Sequence, residues 1–111
     1  MNTLLSIEKR NAVLSRMAEL LEQERANLKS INQQDMSNYS GDDLAMEKRL
    51  LVDDAKIDGM ILSMQQLASQ EDPVGVERFH FTHDNRLKIT NKTAAFGTIM
   101  IIYESRPDVT V

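Results

Sequence analysis

The sequence predicts an α/β chain in which several helices are followed by a β-hairpin and then by one buried strand of a parallel sheet. Apolar residues recur at helical spacing as far as about Ser69, and beyond Gly75 the spacing changes to two. The last apolar run, residues 96–103, has no polar alternation, which is typical of a strand buried on both faces of a parallel sheet. Such a sheet needs further strands joined by crossovers, so we expect the chain to be the front part of a larger protein.

Four helices are predicted before the hairpin. They cover about residues 3–23, 23–38, 43–50 and 53–69, and a cluster of turn-forming residues separates the second from the third. Asp53 is a suitable N-cap for the fourth helix. The apolar stripes of the first and fourth helices consist of Leu14, Met17, Ala18 and Leu21, and of Ile57, Met60, Ile61, Met64, Leu67 and Ala68.

Two interpretations concern the faces of these helices. The second helix is more polar, and its residues Asn27, Lys29, Asn32, Gln33 and Gln34 are interpreted as a solvated face. The methionines of the fourth helix would suit an adaptable binding groove, but their place on the apolar stripe favours core packing.

The hairpin is predicted from two runs of alternating residues on either side of a turn at Asp84 and Asn85. One face is apolar and carries Phe79, Phe81, Leu87 and Ile89. A two-stranded hairpin is marginal alone, so this face should be covered by the rest of the chain or by another subunit. The sequence therefore divides into a helical part (residues 1–75), the hairpin (76–93) and the terminal strand with its following loop (94–111).

Composition excludes several classes of protein. The net charge is −4 and no basic stripe is visible, which argues against nucleic acid or an anionic membrane as a partner. There is no long apolar stretch and no leader sequence, so neither a transmembrane helix nor a signal peptide is predicted and the cytoplasm is expected. The chain has no cysteine, which excludes disulfides and thiol catalysis by these residues alone. His80 and His83 lack a spaced third ligand and are interpreted as solvated hairpin residues, with no metal site expected.

Candidate site residues follow the terminal strand. Ligands of open parallel sheets bind beyond the carboxyl ends of the strands, which is where Glu104, Ser105 and Arg106 are expected. The alternative is structural: Glu104 and Arg106 would form an ion pair that shapes a tight turn, with Ser105 as a turn residue.

Residues 101–111, IIYESRPDVTV, support a more specific interpretation. This block resembles the sequence that opens the nucleotide-binding domain of gamma-glutamyl phosphate reductase, a family of the aldehyde dehydrogenase superfamily. Residues 49–51, 56–57 and 72–75 follow in the order and spacing of the same family. Ala95, Met100 and Asp108 depart from its usual Pro, Gly and Asn.

The resemblance implies the N-terminal portion of an aldehyde dehydrogenase-like fold. Residues 1–75 would be a helical segment of the nucleotide-binding domain, 76–93 an oligomerisation arm that makes a homo-oligomer, and 94–111 the first strand of the nucleotide-binding sheet with a substrate and cofactor loop. The implied activity is NADPH-dependent reduction of gamma-glutamyl phosphate to glutamate 5-semialdehyde with release of phosphate, a step of proline biosynthesis. In such enzymes a cysteine thiolate attacks the acyl phosphate and hydride from the nicotinamide reduces the resulting thioester.

The resemblance also implies roles for individual residues. Ser105 would donate to the oxyanion, Arg106 would bind the substrate phosphate or carboxylate, and Ile101, Tyr103 and Glu104 would form part of the wall of the NADP(H) site. The chain alone would be inactive, because the nucleophilic cysteine lies outside it. An alternative is a non-catalytic helical and hairpin module for oligomerisation or binding. A free-standing helical regulatory protein is disfavoured by the exposed apolar edge that it would carry.

Overall fold

A computed structural model of the chain describes residues 5–84 and 86–111. Within these residues the elements are α1 (Ile7–Gln23), α2 (Arg25–Asn38), α3 (Leu44–Leu50), α4 (Asp54–Ser69), β1 (Glu77–His83), β2 (Leu87–Lys92) and a short 3-10 helix (Pro107–Thr110). The predicted helices are confirmed. Thr3 itself lies outside the described residues, but Leu5 and Ser6 are not helical, so the first helix begins at Ile7, later than predicted. The predicted turn residue Asn85 also lies outside the described residues.

The chain divides into two compact units. The helical unit is the described part of Met1–Gln70 together with Ile102–Val111, and the hairpin unit is Glu71–Ile101.

Side-chain caps define where three of the helices begin. The Ser6 side chain accepts a hydrogen bond from the backbone of Lys9, and Asp43 accepts from the first two backbone amides of α3. Asp53 accepts from the amide of Lys56 at 2.8 Å, which confirms its predicted role as the N-cap of α4. These caps satisfy amides that have no partner inside their own helix, so they set the helix starts locally.

The core of the helical unit lies between α1 and α4. The apolar stripes of the two helices pack against each other and bury Ala18 of α1 with Ile57, Met60 and Met64 of α4. Ile57 is completely inaccessible to solvent. Burial of Met60 and Met64 confirms the core interpretation over a methionine-lined groove.

The second helix corrects one prediction. Asn32, which was assigned to the solvated face of α2, is buried with 6% of its surface exposed. Its amide nitrogen donates to the carbonyl of Leu50 at 2.9 Å, and its carbonyl oxygen accepts from the amide of Val52 at 2.7 Å. The side chain therefore provides hydrogen-bond partners for the carbonyl of Leu50 and the amide of Val52, which flank the connection between α3 and α4. A neighbouring β-strand would satisfy such a donor and acceptor in the same way.

The predicted hairpin is confirmed in the hairpin unit. Strands β1 and β2 pair antiparallel with a bulge between Glu77 and Phe79, and Phe81 lies opposite Ile89. At the open end, Gly75 has φ +70° and the Thr93 hydroxyl accepts from the amide of Val76 at 2.9 Å. The four apolar side chains, Phe79, Phe81, Leu87 and Ile89, are exposed.

The predicted buried strand is wrong for this structure. Residues 96–103, the apolar segment, have no regular secondary structure, and Phe96 and Ile102 are 95% and 88% exposed. The two-stranded hairpin is the sheet of the described residues, and no parallel strand is present there. A parallel strand is held by hydrogen bonds to neighbouring strands, so without them the apolar pattern alone does not form one.

Candidate functional site

The predicted site residues lie mainly in the terminal loop, residues 103–110, which belongs to the helical unit. Its second half is the 3-10 helix, with Pro107 at the first helical position. Asp108 of this helix, together with Val111, lines a groove along α4 beside Lys56, Gly59 and Met60. Packing on α4 therefore anchors one end of the loop to the most strongly buried helix of the unit.

Ser105 has an unusual backbone conformation. Its φ is +51°, in the left-handed region, and the residue is half-buried. Left-handed geometry costs a residue with a Cβ about 1–2 kcal/mol, so surrounding contacts have to maintain it. Within the described part of the chain the Ser105 hydroxyl makes no hydrogen bond. Ser105 thus presents an uncommitted donor on a constrained backbone.

Two hydrogen bonds close the terminal loop. The hydroxyls of Tyr103 and Thr110 are 2.5 Å apart. The amide of Val109 donates to the carbonyl of Arg106 at 3.0 Å, which forms the turn of the 3-10 helix. Sequence reasoning missed Thr110, because a hydroxyl seven residues from a tyrosine has no periodic signature. The one feature of the sequence that could have pointed to Thr110 is its position inside the block of residues 101–111, which resembles the reductase family.

The other predicted site residues are exposed. Glu104 and Arg106 point to solvent and form no ion pair with each other within the described chain, so the structural alternative of an ion-paired turn is not observed. Ile101 is also exposed and belongs to no strand. The structure therefore brings Tyr103 and Ser105 into one hydrogen-bonded loop and leaves Glu104 and Arg106 available to a ligand.

A separate charged cluster joins α1, α2 and α4. The Arg25 guanidinium contacts Glu22 at 2.6 Å, Asp58 at 2.6 Å and Asp54 at 3.3 Å, and Lys29 also pairs with Asp54. Hydrogen bonds from Glu22, Asp58 and Asp54 raise the pKa of Arg25. Lys29 and Arg25 lower the pKa of the Asp54 carboxyl below its usual 3.8. Because each of these charges has a partner, the cluster attaches α2 to α4 and offers no general acid or base.

The two histidines lie on the exposed hairpin. His80 Nδ1 is 3.2 Å from Glu77 Oε1, and His83 Nε2 is 3.3 Å from Asp84 Oδ2. Within residues 5–84 and 86–111, no three His, Cys, Asp or Glu side chains are grouped closely enough to hold a metal ion. None of the helices described is both long and apolar enough to cross a membrane.

Comparison with known proteins gives a consistent set of relatives. The chain is 38% identical over 104 residues to the gamma-glutamyl phosphate reductase of Persephonella marina, which covers 92% of this chain and 23% of that protein. It is 37% identical over 110 residues to that of Sulfurimonas denitrificans (97% of this chain, 27% of the relative) and 34% identical over 109 residues to that of Leptospira interrogans (96% and 26%). No family model matches the chain, and no solved structure does.

The chain thus spans about a quarter of the length of the curated relatives that it matches. The similarity extends over more than nine-tenths of the chain and so includes the helices and the hairpin as well as the terminal block. The resemblance to gamma-glutamyl phosphate reductase is confirmed, and this chain is a relative of one part of such a protein.

Proposed function

We propose that this chain forms part of an NADP-dependent reductase that converts gamma-glutamyl phosphate to glutamate 5-semialdehyde and phosphate in proline biosynthesis, in the cytoplasm. The observation that carries this proposal is the similarity of nearly the whole chain to proteins named gamma-glutamyl phosphate reductase. Reduction of an acyl phosphate is the chemistry that this name describes.

The proposed roles use the groups that the terminal loop leaves available. The Ser105 hydroxyl, which has no partner in the described chain, donates to the substrate oxygen as that oxygen becomes negative during attack on the acyl carbon. Arg106 is exposed and free of any ion pair within the described residues, and its guanidinium binds the phosphate or carboxylate of the substrate through two parallel N–H groups. The chain contains no cysteine, so a thiolate nucleophile comes from outside these residues and the chain alone has no activity.

The resemblance assigns Ile101, Tyr103 and Glu104 to part of the wall of the cofactor site in the complete reductase. Ile101 and Tyr103 have exposed apolar surface, and Glu104 is an exposed acceptor suited to a ribose hydroxyl. These three residues carry no positive charge, so they do not bind the cofactor phosphates, and further residues must do so. NADPH, when bound, supplies the hydride. This chain's residues orient the cofactor and exclude water beside it.

The exposed apolar segment supports a place for the chain inside a larger fold. Its large side chains have the composition of a buried strand and no cover in the described residues. In the complete reductase, we expect residues 96–103 to become a strand of the nucleotide-binding sheet, hydrogen-bonded to strands from the part of the protein that this chain does not span. The aldehyde dehydrogenase-like fold then forms only in the complete protein.

The hairpin supports association between subunits. Phe79, Phe81, Leu87 and Ile89 share one face, because the register places Phe81 opposite Ile89 and His83 opposite Leu87. These side chains are exposed, and an amphipathic two-stranded sheet is stable only when its apolar face is covered. We therefore propose that a second copy of the complete reductase covers this face in a homo-oligomer.

A chimera tests the proposed function. The matching quarter of the Sulfurimonas denitrificans protein is replaced by this chain, and NADP reduction is followed in the reverse direction with glutamate 5-semialdehyde and phosphate. We expect activity in the chimera, and we expect Ser105→Ala to lower kcat by about 100-fold with little change in KM, since one oxyanion donor is typically worth that much. A folded chimera without activity would reject the proposal. Unchanged kcat in Ser105→Ala would remove Ser105 from the mechanism.

The same chimera tests the hairpin. Replacing both Phe79 and Phe81 by Ser should convert the oligomer to monomers by light scattering. The control replaces His80 and Thr82, on the opposite face of β1, by Ser and should leave the assembly unchanged. An oligomer that survives the Phe replacements would exclude this face as the subunit contact.

A further inference from the structure

We propose that Tyr103 and Thr110 are positioning residues for Ser105. Their hydroxyl–hydroxyl hydrogen bond closes the terminal loop and holds the left-handed backbone of Ser105, so that its hydroxyl has a fixed direction. The catalytic consequence rests on the proposed function of Ser105 as an oxyanion donor.

The first step is that Ser105 needs external support. A serine with φ +51° is in a region that costs an L-residue free energy, and no glycine is present at this position to remove that cost. The Ser105 side chain makes no hydrogen bond with the described residues that would hold the conformation locally. The support must therefore come from the residues that flank it.

The second step is that the flanking residues form a closed ring around Ser105. Tyr103 lies two residues before Ser105 and Thr110 five residues after it, and their hydroxyl oxygens are 2.5 Å apart. Between them the Val109 amide donates to the carbonyl of Arg106, and the fixed φ of Pro107 stiffens the same turn. The ring limits the backbone angles that residues 104–106 can adopt.

The third step is that the ring is attached to a rigid element. The 3-10 helix contacts α4, and Asp108 and Val111 line a groove beside Met60 of the core. Thr110 is thus held in place by the helix that carries it. The Thr110 hydroxyl holds the Tyr103 side chain through their hydrogen bond. Tyr103 in turn restricts the backbone conformation of the residues that lead to Ser105. The Tyr103 hydroxyl makes this contact, so we assign the hydroxyl to the terminal loop. The aromatic ring stays available for the proposed wall of the cofactor site.

NMR on this chain tests the loop directly. A residue with positive φ has a short distance between its amide and α protons, and gives a strong NOE between them. We expect a strong NOE at Ser105, kept in Thr110→Ser and clearly weakened in Thr110→Val, which has the shape of Thr without the hydroxyl, and in Tyr103→Phe. Both side chains are exposed, so these variants should keep the fold of α1 and α4. An unchanged NOE in both hydroxyl-deletion variants would overturn the proposal.

Kinetics in the chimera test the catalytic consequence. Thr110→Val and Tyr103→Phe should each lower kcat by about three- to tenfold, the value of one exposed hydrogen bond, with KM unchanged within about twofold. The double variant should be no worse than either single one, because one bond is lost in all three. Thr110→Ser should keep the activity of the wild type. Adding Thr110→Val to Ser105→Ala should cause no further loss.

The outcomes separate this inference from the proposed function. An active chimera in which Ser105→Ala lowers kcat but Thr110→Val and Tyr103→Phe do not would overturn the positioning role alone. A folded chimera with no activity would reject the proposed function, and the NOE at Ser105 would still decide whether the hydroxyl pair fixes the loop.

Discussion

The helical unit and the hairpin unit contain similar apolar residues and use them differently. In the helical unit, α1 and α4 lie against each other, and Ile57 and Met64 lose essentially all their exposure. In the hairpin unit, Phe79 and Phe81 are equally apolar and remain about half exposed. The difference lies in whether a second element is available. Two amphipathic helices can cover each other, whereas a two-stranded hairpin has one apolar face and no second layer.

A second contrast lies within the helical unit. The pairing of α1 with α4 is apolar, whereas α2 is attached through Asn32 and through the charged cluster around Arg25. Hydrogen bonds and ion pairs at this partly exposed site contribute less than core packing and depend on pH and salt. We therefore expect the attachment of α2 to be more easily weakened than the pairing of α1 and α4.

The largest expected effect tests the contrast between buried and exposed isoleucine. Ile57→Ala should destabilise the helical unit by about 2–5 kcal/mol, because it removes fully buried methyl groups and leaves a cavity. The matched change Ile102→Ala, at a residue that is 88% exposed, should alter stability by less than about 0.5 kcal/mol. Urea denaturation followed by circular dichroism measures both, and similar values would contradict the assignment of the core.

The next effect tests how α2 is attached. Asn32→Ala should cost about 1–3 kcal/mol in the same denaturation experiment, because it leaves the partly buried backbone groups of Leu50 and Val52 without these partners. Asn27→Ala is the control, since Asn27 has the same chemistry on the exposed face of α2 and should change stability by less than about 0.5 kcal/mol. Equal costs for the two variants would mean that Asn32 is an ordinary surface residue.

A smaller effect compares one glycine from each unit. An added Cβ meets open space at both Gly59 and Gly75, so only the backbone differs. Gly59 lies inside α4, and Gly59→Ala should stabilise the helical unit by about 0.5–1 kcal/mol. Gly75 has φ +70°, and Gly75→Ala should destabilise the base of the hairpin by about 1 kcal/mol, measured by amide exchange in β1 and β2. The same sign for both changes would refute this explanation.

The smallest effect is the pH dependence of the charged cluster. Lys29 and Arg25 lower the pKa of Asp54 in the folded chain, so the ionised carboxylate stabilises the fold above its ordinary pKa of 3.8. This contribution is lost as the pH falls through the lower, folded value. Asp54→Asn should therefore lower the Tm slightly at pH 7 and have no effect near pH 2. A difference that persists at pH 2, or in 1 M salt, would exclude the ion pairs as its cause.

Prediction from sequence succeeded where structure depends on neighbouring residues. The helix start at Asp53 follows from a side chain that caps amides two or three residues away, and the hairpin follows from alternation around a short turn. Burial of Asn32 was not predictable in this way, because its partners are about twenty residues away and an asparagine in a polar helix is usually solvated. The terminal loop was found by resemblance, while the contact between Tyr103 and Thr110 required coordinates.

The sequence by itself determined the order and the approximate bounds of the helices and the hairpin, and the relationship of residues 101–111 to a reductase family. The tertiary structure decided which apolar residues form a core and left residues 96–103 without a strand. The physical reason is that capping and periodicity act through bonds within a few residues, whereas burial and strand pairing require a second surface that a local pattern does not specify.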